Sequence, residues 1–284
     1  MTKYGLQALV PTVFAFAEGL GNILQNPALY VLKNFGLSVV SAIATNAFSV
    51  IPTGTSTLYD AAAAFLGSDA IVNAEVLGAV RGPSHVEVFA ETPNGLVVIE
   101  AGKLVFAIPP TLPNVALLAP DPLELSLFSR FTSTYYSTSL VQFEGIPAGV
   151  AVTNVAANTP YNLPPLPAMY GLQATELPNY FVGLFGSQTW LPDAAVKAVM
   201  VSSLQNVASS GVYPGLKFGS IDVFSSHAPF NIMVSPSDIA AGFYSKVNAL
   251  QGHNNTFYTS AAFQTNDSSL IWRFTQGLLP QIVA

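Results

Sequence analysis

The segment Leu104-Val105-Phe106-Ala107-Ile108 is apolar at every position and lies between Gly102 and the pair Pro109-Pro110. A run this short, apolar on both faces and stopped by proline, is predicted to be a strand buried in a sheet covered on two sides, as in parallel α/β packing. The chain before it also reads as strand. Ile71-Val72, Val76-Leu77 and Val80 mark one strand from Asp69 onward, and Val86, Val88 and Ala90 alternate with His85, Glu87 and Glu91 in the next. That period of two belongs to a half-buried strand. Pro93-Asn94-Gly95 predicts a hairpin, because Asn and Gly accept the positive φ of a tight turn, with Leu96 to Ile99 as the returning strand.

Upstream of Asp69 the period is helical. Leu6, Leu9, Val10, Val13, Phe14, Leu20 and Leu24 recur at helical spacings, with breaks at Pro11 and Pro27, and a second run from Thr57 to Leu66 is ended by Gly67. The uncharged stretch Asn34 to Tyr59 is the best membrane candidate. Ser38, Ser41, Thr45, Asn46, Ser49, Pro52 and Gly54 interrupt it before about 20 apolar residues accumulate, so a buried helix and no stable membrane span are expected. Beyond Thr111 come a strand near Phe131 to Phe143, a Pro-rich loop from Thr159 to Pro167 and a helix from Asp193 to Ala208, together a second, substrate-type lobe. Pro164 to Pro167 fits a loop of the fold or a polyproline ligand. The chain closes with a strand from Thr256 to Ala262, a turn from Gln264 to Asp267, and a helix from Ser268 to near Leu279, capped by Asp267 or Asn266, with Leu270, Ile271, Phe274 and Leu278 on one side. No internal repeat is present.

Composition decides what this chain can partner. With 51% hydrophobic residues over 284 positions a sizeable core is available and disorder is excluded. Charged residues make up 8%, against roughly 25% in ordinary soluble domains, and nine basic against fifteen acidic residues form no Lys/Arg cluster. No nucleic-acid partner is expected without that electrostatic footprint. The absence of cysteine removes disulfides, thiolate nucleophiles and Cys-ligated metals. His85, His227 and His253 stand far apart with no carboxylate or second His at ligand spacing, so no metal is expected. No G-x-S-x-G elbow occurs, and Asp222, Ser225 and His227 are too local for a triad. Met1-Thr2-Lys3-Tyr4 does not begin a signal peptide, while sequons at Asn254 and Asn266 lean toward a secretory route; compartment and oligomeric state stay open.

Gly19-Leu20-Gly21-Asn22-Ile23-Leu24 begins like a dinucleotide fingerprint, but Leu24 stands at the third glycine and no acid follows about twenty residues on. It is rejected, and no other segment offers a Gly-rich turn to hold a pyrophosphate on a helix N-terminus. His227-Ala228-Pro229-Phe230 reads as a shaped turn near a pocket, with His227 either structural or in contact with substrate. The closing strand, turn and helix fit an ordinary α/β unit. Free N–H groups at the helix start also suit a phosphate or an electron-rich ring edge.

The segment Asn255 to Phe263, followed by Asn266-Asp267-Ser268-Ser269 and Trp272, resembles the closing segment of fungal amine-oxidase-like flavoproteins, the group that includes beta-cyclopiazonate dehydrogenase. Supporting matches run through nearly the whole chain: Tyr4-Gly5-Leu6, Pro11 to Phe14, Lys33 to Gly36, Leu66 to Asp69, Ile108-Pro109-Pro110, Thr159 to Pro164, Gly242-Phe243-Tyr244 and Ala249 to Gly252. The resemblance implies a mixed α/β fold, in which part of a Rossmann-like FAD-binding lobe is interleaved with an amine-oxidase-type substrate lobe. It implies residues 1–66 as the helical part of the substrate lobe, 67–110 as the middle of the FAD lobe, 111–254 as the substrate lobe and 255–284 as the terminal strand and helix of the FAD lobe. The first part of that lobe in the family, a βαβ unit with G-x-G-x-x-G, is absent here.

By resemblance, Val76 lies beside the adenine of FAD, and Ser260, Ala261, Ala262, Asp267, Ser268, Ser269 and Leu270 lie along the ribityl-phosphate and flavin-ring side. Ser260 departs from the Gly usual in the family, where close backbone approach matters. His227 and Phe230, matching a recurring His-x-Pro-Phe, fall on the substrate side. The implied chemistry is hydride removal from a carbon, usually next to nitrogen, to flavin N5, with an apolar small molecule as substrate. Pyrophosphate binding loses its principal contacts in this chain. A rival reading therefore stands beside the enzyme, that of a non-enzymatic remnant or apolar-ligand-binding protein keeping the substrate lobe. A structural surface protein would show repeats or exposed apolar periodicity, and neither occurs.

Overall fold

The computed structural model describes residues 2–17, 19–49 and 51–284. In the N-terminal stretch Pro11 occupies the first turn of α1 (Val10–Phe16), where its missing N–H costs nothing, so it starts this helix and does not break it. Pro27 immediately precedes α2 (Ala28–Asn34), and α3 (Leu37–Thr45) and α4 (Ser56–Leu66) follow, α4 ending at Gly67 with φ of 55°. Then come β1 (Glu75–Arg81), β2 (Val86–Thr92), β3 (Gly95–Ala101) and β4 (Leu104–Phe106), and after them α5 (Leu112–Ala116) and α6 (Pro122–Phe128). The next strands are β5 (Thr132–Ser133), β6 (Tyr135–Glu144), β7 (Val152–Thr153), β8 (Ala168–Ala174) and β9 (Tyr180–Ser187). The chain continues through α7 (Asp193–Ala208), β10 (Lys217–Ser226), β11 (Ile232–Met233), α8 (Pro236–Ala240), α9 (Phe243–Asn248), β12 (Thr256–Tyr258) and α10 (Ser268–Ile282).

These elements form two compact units, one of Met1–Phe35 with Thr132–Met233 and one of Gly36–Phe131 with Val234–Ala284. In the first, β10-β6-β9-β8-β7 make an antiparallel sheet in that order. Alternation assigns its two faces. Val141 and Phe143 of β6, Met169 and Leu172 of β8 and Phe181 and Phe185 of β9 pack against Val196, Met200 and Leu204 of α7. The opposite face carries Tyr136, Tyr170 and Leu184, with Phe14 and Phe230 packed on them. Gly186 makes this possible, since a Cβ there would collide with the Tyr170 ring.

In the second unit β1-β2-β3 form an antiparallel sheet, and β4 pairs in parallel with β12. The hairpin stands where expected with different chemistry. Thr92 pairs with Gly95 across Pro93-Asn94, so it is Gly95, at φ of 108°, that supplies the positive φ, while Asn94 does not. Val86 and Ala90 are buried as the alternation of β2 requires, but Val88 between them is only half-buried, like Glu87. Ile71 and Val72 fall before β1 and outside any strand.

Two expectations are corrected. The Leu104 to Ile108 run is a strand only to Phe106, and Val105 is 38% and Ile108 46% exposed, so it is not covered on both faces. The uncharged stretch after Asn34 is not a buried helix either: α3 and α4 bury no residue, and Leu37 is 84% and Phe65 89% exposed. Both errors have one cause, because apolar composition shows that a face is fit for burial and not which part of a protein covers it. By length and composition alone the stretch Ala28–Thr45 would cross a membrane, but Phe35-Gly36 divides it into two short helices.

Candidate functional site

In the second unit the parallel pair β4 and β12 is the base of the site. Thr256, Phe257 and Tyr258 stand opposite Leu104, Val105 and Phe106, and the Thr259 N–H continues the ladder to the Phe106 carbonyl at 3.0 Å. The strand ends at Tyr258, not at Ala262. Beyond it Ser260 Oγ accepts from the Ala262 N–H, the Phe263 N–H closes on the Ser260 carbonyl, and Ser260 and Ala262 are buried while Ala261 is half-buried. Asp267 then caps α10: its Oδ1 accepts from the Ser269 and Leu270 N–H groups at 2.9 and 3.2 Å. The expected free N–H groups at this helix start are thus partly taken. A carboxylate already sitting there repels a second anion, so the end suits an uncharged ring edge better than a phosphate. Ser268 and Ser269 are exposed, and Asp267 and Leu270 half-buried.

Behind this segment lies a buried polar network that was missed in the sequence. Arg81 at the end of β1 and Glu124 of α6 form a two-pronged pair, Nη1 to Oε1 and Nη2 to Oε2 at 2.7 Å each, with side chains 3% and 0% exposed. The Tyr258 hydroxyl donates to Glu124 Oε1 at 2.6 Å and accepts from Arg81 Nη1 at 3.2 Å. Arg81 also donates to Thr256 Oγ1 and to the Leu118 carbonyl, and the Asp121 N–H donates to Glu124 Oε2. Burial pushes the Glu124 carboxyl up, but the Arg81 and Tyr258 hydrogen bonds outweigh it and hold the group below its usual range. Burial and the same carboxylate push the Tyr258 phenol well up, so it stays a donor.

One signal for this network was local. Asp121-Pro122-Leu123-Glu124 is a capping box with Pro in the first turn, and both reciprocal bonds are present at 2.9 Å. Asp121 also reaches His253 Nε2 at 2.6 Å across 132 positions of sequence, a carboxylate partner that spacing along the chain could not reveal. Its carboxyl is lowered first by the Glu124 N–H and then by His253. Asp121, Glu124 and His253 place ligand-type atoms within 4.8 Å of one another, yet both Glu124 oxygens are bound by the Arg81 guanidinium, which supplies the positive charge there.

Val76 belongs to the same unit, 43% exposed on β1 opposite Ala90. His227 and Phe230 belong to the other unit, where the structure brings them together, with ring centroids 6.4 Å apart. Tyr136 lies 5.0 Å from the Phe230 ring and 5.9 Å from the His227 ring, and His227 Nε2 lies 3.2 Å from Thr138 Oγ1. Asp222 instead accepts from Ser220, so the local Asp-Ser-His grouping is not a triad. Beside Phe14, Tyr170 and Leu184 a cavity of about 200 Å3 opens on this aromatic face. Asn231, 4% exposed, has an Nδ2 with no acceptor among the described residues. Lys33, which the pattern of charges did not single out, is lowered by burial to about 8.

Gly19 and Gly21 have φ of 79° and 73° and are not a phosphate cradle. A Cβ on Gly19 would strike the Phe230 ring and one on Gly21 the Gln188 side chain, so the turn is filled by the protein's own groups. Ser260 keeps φ outside the left-handed region, so serine sits there without backbone strain and the departure from Gly does not distort the segment. The strand, turn and capped helix therefore fit one wall of a flavin site, while the described residues provide no Gly-rich pyrophosphate turn.

Replacing Asp267 with alanine is expected to lower stability by about 1 kcal/mol, because two N–H groups of α10 lose their acceptor. Thermal unfolding checks this, and an Asp267→Asn protein, whose Oδ1 still accepts from both N–H groups, should show little of the loss.

Comparison with known proteins bears on the same segments. The FAD-dependent oxidoreductase oblC of Cochliobolus heterostrophus is 35% identical over 100% of this chain and 61% of its own length. The FAD-dependent oxidoreductase pigF of Monascus ruber is 33% identical over 98% of this chain and 61% of its own. The chain is a homologue of fungal FAD-dependent oxidoreductases. Beta-cyclopiazonate dehydrogenase of Aspergillus oryzae is another relative, 32% identical over 99% of this chain and 61% of its own. The chain spans about 61% of the length of these curated relatives. No family model matches. Among solved structures, a CLA-producing fatty acid isomerase from P. acnes shares the fold, with a TM-score of 0.79 at 19% identity over 98% of this chain and 63% of that one. The mixed α/β fold class inferred from the sequence is borne out by this likeness.

Proposed function

We propose that this chain forms the substrate lobe and the closing part of the cofactor lobe of an FAD-dependent oxidoreductase of amine-oxidase type. The observation that carries the reading is the parallel β4 and β12 pair running into the Asp267-capped helix in a homologue of FAD-dependent enzymes. When bound, FAD supplies the acceptor for a hydride leaving a carbon of the substrate, in this reading one next to nitrogen. Ser260, Ala261, Ala262, Asp267, Ser268, Ser269 and Leu270 line the flavin, and Val76 lies on the adenine side. In this assignment residues 67–110 and 255–284 belong to the cofactor lobe, and residues 1–66 and 111–254 to the substrate lobe. His227 and Phe230 contact an apolar small molecule on the aromatic face, where water is exchanged for ring contacts on binding.

The exposed apolar faces of α3 and α4 support a lobe that is completed by further polypeptide, as in the longer relatives. The test is the colour of purified protein after incubation with FAD and gel filtration, for this chain and for a version extended upstream. A yellow extended protein supports the reading, and a colourless one overturns it. A non-enzymatic, apolar-ligand-binding remnant is the second reading, favoured by the absence of a pyrophosphate turn among the described residues. A colourless extended protein that still binds an apolar dye would select it.

A further inference from the structure

The edge of the five-stranded sheet has a second, larger cavity on the side away from Tyr136, Tyr170 and Phe230. Its volume is about 740 Å3, and its apolar wall is built by Val152, Met169, Leu172, Leu204, Val207 and Leu216. A small-molecule pocket has roughly 300–1,000 Å3 and a mostly apolar lining, so both size and chemistry match.

Two features narrow the occupant. Among the described residues no Asp, Glu, Lys, Arg or His lines the cavity. Three of the polar groups at its rim are spent on the protein: Ser203 Oγ donates to the Val199 carbonyl, Ser210 Oγ to the Val207 carbonyl and Asn154 Nδ2 to the Met169 carbonyl. An ionised ligand would lose its hydration here and gain no countercharge, whereas an uncharged apolar one gives up little. The cavity is separated from the smaller one on the aromatic face by the two-residue strand β7, since Val152, Thr153, Gly171 and Leu172 border both. Gly171 lets β7 lie this close, because a Cβ there would run into the Val152 carbonyl.

We infer that the cavity between β7, β8 and α7 is a binding site for a neutral, apolar small molecule, separate from the aromatic face. It goes beyond the proposed flavin reading and stands if that reading fails.

The test uses the full chain with an indole placed in the cavity wall. Trp190 and Trp272 are 63% and 56% exposed, so both are replaced by Phe, and Tyr213→Trp puts the only remaining indole in the lining. Bromoundecanol, a neutral contact quencher, should then quench saturably. Bromoundecanoate, ionised at about pH 8, should bind at least about tenfold more weakly. Filling the cavity with Ser203→Phe, or with Asn206→Phe on its exposed rim, should remove the saturable phase. The proposal is overturned by quenching that rises linearly without saturation, by equal binding of alcohol and acid, or by saturation that survives in a folded filled variant. Running both fillings guards against one of them failing to fold.

Discussion

Truncating Glu124 to alanine is expected to destabilise the unit that contains it by about 3–5 kcal/mol, the largest effect foreseen for a single substitution in this chain. The carboxylate accepts two bonds from Arg81, one from Tyr258 and one from the Asp121 N–H, all at 2.9 Å or less. Removing it leaves a guanidinium only 3% exposed without its counter-ion and a buried phenol without its acceptor. Replacing Arg81 with Met and Glu124 with Leu together should cost less than Glu124→Ala alone, because no orphan charge remains. With Trp190→Phe, Trp272 reports this unit in denaturant unfolding. An unchanged midpoint in Glu124→Ala would show that the network holds nothing together.

The same group sets an acid limit. Its folded carboxyl is held below the unfolded value, so the stability it contributes is fully present above the unfolded pKa of about 4.3 and is lost as pH falls through the folded value. Unfolding of the parent should therefore steepen below about pH 4, and Glu124→Gln, which does not titrate, should lack that component.

Gly19→Ala is expected to cost roughly 2–5 kcal/mol. Two effects contribute: roughly 1–2 kcal/mol for a side chain in the left-handed region and roughly 1–3 kcal/mol for overpacking against the Phe230 ring. Gly5 separates them, since it also has positive φ, 67°, but nothing within 4 Å of a Cβ. Gly5→Ala should show the backbone cost alone. In a Trp272→Phe background Trp190 reads the affected unit, and equal losses at the two glycines would mean that the Phe230 collision is relieved at no cost. Because the collision moves Phe230, Gly19→Ala should also weaken binding on the aromatic face more than Gly5→Ala does.

The elements that were legible in the sequence are those fixed by local chemistry. The helix Asp193–Ala208, the stop at Gly67, the β2 to β3 hairpin and the Asp267 cap each follow from residues a few positions apart. The network around Glu124 was not legible, because its partners stand 43 and 134 positions away and only the fold brings them together. Its local half, the Asp121 to Glu124 capping box, was open to reading and went unread. The exposure of Val105 and of α3 was hidden for a different reason. Periodicity identifies a face fit for contact and does not show what covers it. Gly19 and Gly21 show the opposite trap: a phosphate-like spacing whose positive φ serves close packing against Phe230 and Gln188.

The central claim is that the segment from Thr256 through Leu270 forms a wall of the flavin site. An FAD carrying an azide on its isoalloxazine ring, photolysed in the upstream-extended protein and followed by peptide mapping, tests this most directly. The account predicts labelled peptides from residues 256–284. Label confined to residues 132–233, with none on 256–284, would contradict it.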